Sequence, residues 1–176
     1  MKLYDALRCP YCARVRLALA EKGLGYEAVA IDLSNRPDWL YELNPIGKVP
    51  VLDDADFILP ESEVIMQYLD DRYPDEPLLP AGARGRAEAR LAVHRFDELL
   101  GDDYYAYRRD EPNRLMERLA ALELGHSLFV DVAYAPWVIR ARDMLGLELP
   151  AHLEEALARL TSRPAFAEEV EIVRAL

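Results

Sequence analysis

Two hydrophobic patterns divide this chain of 176 residues. Up to about residue 73, short apolar runs of strand length alternate with helical periods; from Arg84 onward only helical periods recur. Lys2 to Asp5 reads as a strand, followed by a loop carrying Arg8. Pro10 then opens a helix that runs to Glu21-Lys22 and stops at Gly23. Proline suits the first helical position because its missing N–H would be unpaired there, and glycine suits the far end. Tyr26 to Ile31 reads as a second strand, and its continuously apolar Ala28-Val29-Ala30-Ile31 fits a strand covered on both faces. Pro37 to Leu43 predicts a short helix ended by Asn44-Pro45. Val51-Leu52, the turn Asp53-Asp54-Ala55-Asp56 and Phe57-Ile58-Leu59 predict a hairpin. Glu61 to Arg72 returns to helical period, with Val64, Ile65, Tyr68 and Leu69 on one side. The predicted order is β-α-β-α-β-β-α.

Prolines at 74, 77 and 80 and Gly82 mark a linker. Beyond it Ala89, Val93, Phe96, Leu100, Tyr104 and Tyr107 recur at spacings of three and four, one face of a long helix that Gly101 could bend. Pro112 to Leu124 and Leu128 to Leu145 predict two more helices, the second kinked or broken at Pro136. Pro150 to Leu160 and Pro164 to Val173 complete an all-helical half. The expected organisation is an α/β domain over residues 1–75, a linker over 76–83 and an all-α domain over 84–176.

Composition narrows the function. The chain carries 21 Lys plus Arg against 32 Asp plus Glu, a net charge of −11. Such a charge argues against nucleic acid or an anionic membrane as partner, since both need a basic face. No apolar run approaches the roughly 18–20 residues of a membrane span, and the chain opens directly on a strand pattern without a secretory leader, so a cytoplasmic protein is expected. Two cysteines exclude a disulfide-stapled fold. The charge is uneven: residues 1–50 hold 7 basic and 6 acidic side chains, whereas residues 51–80 hold 1 and 9. An anionic small molecule would find its site in the first fifty residues.

Arg8-Cys9-Pro10-Tyr11-Cys12 is the sharpest local signal. A Cys-x-x-Cys between a strand and a helix reads as a thioredoxin-like redox motif. Cys9 stands at the helix start, where unpaired N–H groups and the positive dipole end favour an anion. Settings of this kind lower a thiol pKa from about 8.5 to roughly 3.5–7.5, and Arg8 adds to the effect if it turns inward. Cys12, one turn on, is either a resolving thiol or an inert, buried S–H donor. A metal site is not expected, because His94, His126 and His152 lie far away in the helical half without ligand spacing. Val49-Pro50 is a second feature. With a cis bond there, Val49 would leave backbone groups free to pair with a peptide-like ligand as an extra strand. Glu61-Ser62 opens the next helix, where Ser62 is either an ordinary cap or part of a carboxylate site.

Together these pieces resemble the cysteine-bearing glutathione transferases: the omega class, plant dehydroascorbate reductases and the intracellular chloride-channel family. Cys9-Pro10-Tyr11-Cys12 stands at the family's cysteine motif. Arg36-Pro37-Asp38-Trp39-Leu40, Asn44-Pro45-Ile46-Gly47-Lys48-Val49-Pro50-Val51-Leu52 and Pro60-Glu61-Ser62 follow its glutathione-site pattern. Asp131-Val132-Ala133-Tyr134 resembles the helical-domain signature more weakly. In its place for a capping Ser or Thr, three residues before Asp131, stands Leu128, with Ser127 one position too far; the stretch Leu124 to Phe129 is also shorter than the family's loop.

The resemblance implies a thioredoxin-like domain followed by a helical domain, with glutathione as co-substrate and a homodimer as the assembly. It implies Cys9 as the thiol that meets glutathione's sulfur, with Cys12 the second cysteine of the catalytic motif and Pro10 and Tyr11 beside it. Val49, before Pro50, would pair with the cysteinyl unit. Glu61 and Ser62 would hold the γ-glutamyl end, and Arg36 and Lys48 would face the glycyl carboxylate. A second substrate, a small electrophile or disulfide, would lie between the halves, with Tyr104, Tyr105, Tyr107 and Trp137 as candidate lining; core packing competes for each of them. The activity expected is thiol–disulfide exchange at Cys9, as in deglutathionylation or dehydroascorbate reduction. The alternatives are conjugation of glutathione to electrophiles, and a non-enzymatic scaffold like the stringent starvation protein, which binds RNA polymerase.

Overall fold

The computed structural model describes residues 1–55 and 57–176. The chain divides into two compact units, residues 1–78 with Leu176 and residues 79–175.

The first unit is built on a four-stranded sheet. Strands β1 (Lys2–Asp5), β2 (Glu27–Ala30), β3 (Val51–Asp54) and β4 (Phe57–Pro60) lie in the order β2-β1-β3-β4. β1 runs parallel to β2 and antiparallel to β3, and β3 pairs antiparallel with β4. The parallel pair requires a crossover, which is helix α1 (Pro10–Glu21). Helix α2 (Leu40–Leu43) lies in the segment before β3, and α3 (Ser62–Arg72) follows β4. Leu3, Val51 and Leu52 of the sheet, Val15 and Leu19 of α1, and Ile65, Met66 and Leu69 of α3 are fully buried. A buried ion pair ties this core to the chain beyond α3. Lys22 Nζ lies 3.2 Å from Asp70 Oδ1 and donates to the Glu76 carbonyl at 2.7 Å, while the Leu78 N–H donates to the same Asp70 oxygen at 2.6 Å.

Several expectations change. β2 is an edge strand and is not covered on both faces: Glu27, Ala28 and Ala30 are exposed and Val29 is half-buried. An apolar run of short alanines reads as a doubly covered strand, yet alanine loses little by facing water at an edge. α2 is confined to Leu40–Leu43, because residues 37–42 close turns one residue tighter, such as Leu40 N–H to Pro37 C=O. The hairpin strands extend to Asp54 and begin at Phe57, so Asp53 and Asp54 belong to the strand and not to the predicted turn; Ala55 has φ +53°, and Asp56 lies outside the described residues. Pro60 needs no ladder N–H on the edge strand β4. In α3 Val64 is 47% exposed, and Met66 takes its place in the buried stripe.

The second unit is helical: α4 (Ala83–His94), a π-helical turn (Asp97–Gly101), α5 (Asp102–Arg108), α6 (Leu115–Ala121), α7 (Leu128–Asp143), α8 (Ala151–Leu160) and α9 (Pro164–Arg174). The single long helix expected from Ala89 to Tyr107 is therefore interrupted. A Cβ at Gly101 would lie 2.5 Å from Asp97 Oδ1 and 2.6 Å from Phe96 Cε1, so glycine permits the widened turn. Ala89, Val93, Phe96, Leu100 and Tyr104 are buried as the periodicity predicts, but Tyr107 is exposed. α7 runs unbroken through Pro136, whose carbonyl accepts a hydrogen bond from Arg140 Nη1 at 3.0 Å. Arg140 also pairs with Glu169 at 3.0 Å, both buried.

Candidate active site at the start of the first helix

Cys9 occupies the N-cap of α1, with Pro10 at the first helical position. Its N–H donates to the Ala6 carbonyl at 2.8 Å, closing the turn that carries the chain from β1 into the helix. The side chain is half-buried, and Sγ lies 3.8 Å from the carbonyl oxygen of Val49. The first N–H groups of a twelve-residue helix thus lie next to a partly accessible sulfur. Cys12 is fully buried. Burial pushes its thiol well above the ordinary range, and the hydrogen bond to Cys9 and the negative charge of an ionised Cys9 push the same way. Cys12 therefore stays an S–H at neutral pH. Arg8 is exposed, and its Nη2 donates to the Leu176 carbonyl at 3.1 Å.

Two arginines of α1 point into the unit. Arg16 pairs with Asp5 of β1 at 2.7 Å, both almost fully buried. Arg14 is 3% exposed; its Nη1 donates to Ser62 Oγ at 3.4 Å, and its guanidinium carbon lies 5.2 Å from the centre of the Tyr11 ring. Ser62 is buried as the first residue of α3, so a hydroxyl, a guanidinium and a helix N-terminus converge there. Glu61 before it has φ +71°, an uncommon conformation for a residue with a Cβ.

The segment leading to Val49 has its own scaffold. Buried Asn44 donates through Nδ2 to the Lys48 carbonyl at 2.9 Å, and the Gly47 N–H donates to the Asn44 carbonyl at 2.7 Å. Gly47 sits at φ +62° against the Tyr41 ring, where a Cβ would collide. The Val49–Pro50 bond is cis. The sheet register begins at Val51, so the Val49 backbone lies beyond the ladder.

Of the site residues expected from sequence, Cys9 and Val49 meet directly, and Tyr11 and Ser62 are linked through Arg14. Pro10 and Pro50 are buried. Arg36, Lys48 and Glu61 are exposed, with no side-chain partner among the described residues. In the helical unit, Tyr104 and Trp137 are buried, Trp137 packing on Phe96 at 4.3 Å between ring centres and Tyr104 edge-on to half-buried Tyr105 at 5.4 Å; Tyr107 is exposed. Two of the four aromatics proposed to line a second pocket are thus core. Asp131 accepts a hydrogen bond from the Gly125 N–H at 2.7 Å, and Ser127 is the N-cap of α7 without a side-chain cap bond, so the displaced signature is closed by glycine's N–H instead of a hydroxyl. Sequence reasoning missed Arg14, and it named Asn44 only as part of the motif. The only signal for Arg14 was two arginines set in an otherwise apolar helix. Among the described residues no group of three His, Cys, Asp or Glu side chains is placed to hold a metal, and no helix is long and apolar enough to cross a membrane.

Comparison with known proteins agrees with this geometry. Residues 3–77 match the glutathione S-transferase N-terminal domain family. The chain is 41% identical over 113 residues to a stringent starvation protein A homolog of Haemophilus influenzae, covering 64% of this chain and 52% of that protein. It is 30% identical over 123 residues to glutathione S-transferase omega-1 of Mus musculus, covering 68% and 51%. The chain spans about half the length of these curated relatives. A solved glutathione transferase, Omega 1C from Trametes versicolor, superposes with a TM-score of 0.80 at 26% identity, covering 99% of this chain and 93% of that one. The first unit thus matches a glutathione S-transferase N-terminal domain, and the likeness to a solved omega-class transferase continues through the helices, so that the chain has the glutathione-transferase fold.

Proposed function

We propose that this protein is a glutathione-dependent thiol transferase or reductase that works by thiol–disulfide exchange at Cys9. The observation that carries the reading is the half-buried Cys9 sulfur at the N-cap of α1, 3.8 Å from the Val49 carbonyl and followed by a Cys12 held as a thiol. Backbone groups of Val49 beyond the sheet ladder suit the cysteinyl unit of glutathione as an added strand. The Arg14–Ser62 pair at the start of α3 suits a carboxylate, and exposed Glu61 suits an ammonium. Arg36 and Lys48 supply positive charge for the glycyl end. Pro10 and Tyr11, beside Cys9 in the motif, are assigned to the glutathione side of the site.

In this scheme the Cys9 thiolate attacks the glutathionyl sulfur of a mixed disulfide. A Cys9–glutathione disulfide forms, the original S–S bond breaks, and its electron pair leaves on the substrate thiolate. A second glutathione thiolate then attacks the Cys9 adduct, releasing glutathione disulfide and restoring the Cys9 thiolate. Cys12, buried and protonated, is a poor resolving thiol, so free glutathione serves that step. The working form in this reading is a cytoplasmic homodimer.

A second reading, a non-enzymatic scaffold, is favoured by the greater identity to the stringent starvation protein A homolog than to omega-1. Glutathione separates the two. At about 100 times its dissociation constant a ligand adds roughly 2.7 kcal/mol of stability, so the enzyme reading expects a clear rise in melting temperature with glutathione and loss of disulfide exchange in folded Cys9→Ser. No thermal shift at millimolar glutathione would leave the scaffold. Aryl-halide conjugation retained in Cys9→Ser, without any exchange activity in the unmodified protein, would instead point to a conjugating transferase.

A further inference from the structure

The peptide that joins Lys48 to Val49 is held at one end and open at the other. Buried Asn44 donates through Nδ2 to the Lys48 carbonyl at 2.9 Å. The C=O and N–H of a trans peptide point in opposite directions, and among the described residues only the Val49–Pro50 bond is cis. With its oxygen turned onto Asn44, this peptide presents the Val49 N–H on the side away from Asn44. Among the described residues that N–H has no hydrogen-bond partner. Backbone donors of buried residues are nearly always paired, and Val49 is 8% exposed. Its N–H is therefore suited to an acceptor from outside the chain.

Asn44 is itself fixed through each of its polar groups. Its N–H donates to the Leu40 carbonyl at 2.9 Å as the C-cap of α2, and its own carbonyl accepts the Gly47 N–H at 2.7 Å. Oδ1 faces the Ile46 N–H at 3.4 Å, which leaves Nδ2 as the group turned to Lys48. Gly47, at φ +62° against the Tyr41 ring, lets the chain reverse between Asn44 and Lys48. The other end of Val49 meets the reactive sulfur: its carbonyl oxygen lies 3.8 Å from Cys9 Sγ, and Val49 packs in one cluster with Cys9, Cys12 and Leu40. One side chain thus sets the direction of a donor that stands next to the sulfur.

We infer that Asn44 is a positioning residue for glutathione: by holding the Lys48 carbonyl, its carboxamide aims the Val49 N–H at the carbonyl oxygen of the ligand's cysteinyl residue. The inference rests on the reading of this site as glutathione-binding. A carbonyl that accepts a hydrogen bond polarises its peptide and strengthens the N–H at the far end as a donor. Loss of the Nδ2 donor therefore weakens the bond from Val49 as well as freeing its direction. The effect falls on one acceptor of the ligand, the cysteinyl carbonyl, and spares the γ-glutamyl and glycyl ends.

Two ligands isolate that acceptor: glutathione, and its analogue in which the Cys–Gly amide is replaced by a trans alkene, neutral and similar in shape but without the carbonyl. Isothermal titration measures both on the unmodified protein, on Asn44→Ala and on Asn44→Leu, which keeps the branching of the side chain and lacks the donor. A hydrogen bond contributes about 1 kcal/mol net, so the unmodified protein is expected to prefer glutathione by about fivefold. In both variants the preference is expected to fall below twofold, with binding of the alkene altered less than twofold. A purely structural role for Asn44 would weaken the two ligands by the same factor. Equal weakening, or a preference that survives in either folded variant, overturns the inference and leaves glutathione binding in place. An unmodified protein that binds both ligands equally overturns the inference alone, whereas one that binds neither overturns the glutathione reading together with it.

Discussion

Replacing Arg14 by methionine separates ligand recognition from folding. Methionine keeps most of the buried volume while removing the guanidinium, which is 3% exposed and bonded to Ser62 Oγ at 3.4 Å. Two contributions to stability are lost: a hydrogen bond from a charged donor, about 1.5–3 kcal/mol, and the cation–π contact with Tyr11 at 5.2 Å, about 0.5–2 kcal/mol. Against them stands the relief of a buried charge, several kcal/mol of desolvation. The terms nearly cancel, and the variant is expected to melt within a few degrees of the parent. Binding has no such compensation, because a carboxylate at Ser62 would lose the buried guanidinium beside it. A charge-assisted contact of about 1.5–3 kcal/mol corresponds to a roughly 10- to 150-fold weaker Kd for glutathione. Arg14→Lys should fall between, since a point charge cannot both stack on Tyr11 and fork toward Ser62. Isothermal titration with glutathione on folded protein is the assay. An Arg14→Met variant that is folded and binds within twofold of the parent refutes the carboxylate role.

Asp70→Ala strands Lys22 as an unpaired buried charge and deprives the Leu78 N–H of its acceptor. A loss of about 3–5 kcal/mol, read as a melting temperature lower by on the order of 10 °C, is expected; a drop of a degree or two would show the pair to be dispensable. Alkali is the second lever. Burial lifts Tyr104 to about 12 and Cys12 in the same direction. The unfolded chain ionises these groups first, so their contribution is intact below the unfolded values, about 10 and 8.5, and is lost as pH rises from there through the raised folded values. For Tyr104 the two-unit gap amounts to about 3 kcal/mol. Urea midpoints between pH 9 and 12 should fall less steeply in Tyr104→Phe, and equal slopes would contradict the burial argument.

Much of the first unit was legible because its signals are local. Pro10 and Gly23 bracket α1 and place Cys9 at its N-cap, and the glycine–proline punctuation of residues 44–50 marks the turn that delivers Val49 beside it. What stayed hidden depends on neighbours that are distant in sequence. Nothing local distinguishes an edge strand of alanines from a covered one, so the exposure of Ala28 and Ala30 is not legible in the sequence. Arginine is mostly a surface residue; Arg14 and Arg16 are buried only because Ser62 and Asp5 meet them from other elements. In the helical unit the spacing of Phe96, Leu100 and Tyr104 was right, yet periodicity cannot show that Gly101 lets Phe96 and Asp97 close in and widen the helix into a π turn. It likewise could not tell that Trp137 and Tyr104 are buried.

The most direct test of the central claim is the reaction of Cys12→Ser with glutathione disulfide at pH 7, followed by intact-mass and peptide analysis. A single glutathionyl group on Cys9, forming more than tenfold faster than on free cysteine, is the predicted result. A rate no greater than that of free cysteine would contradict the account.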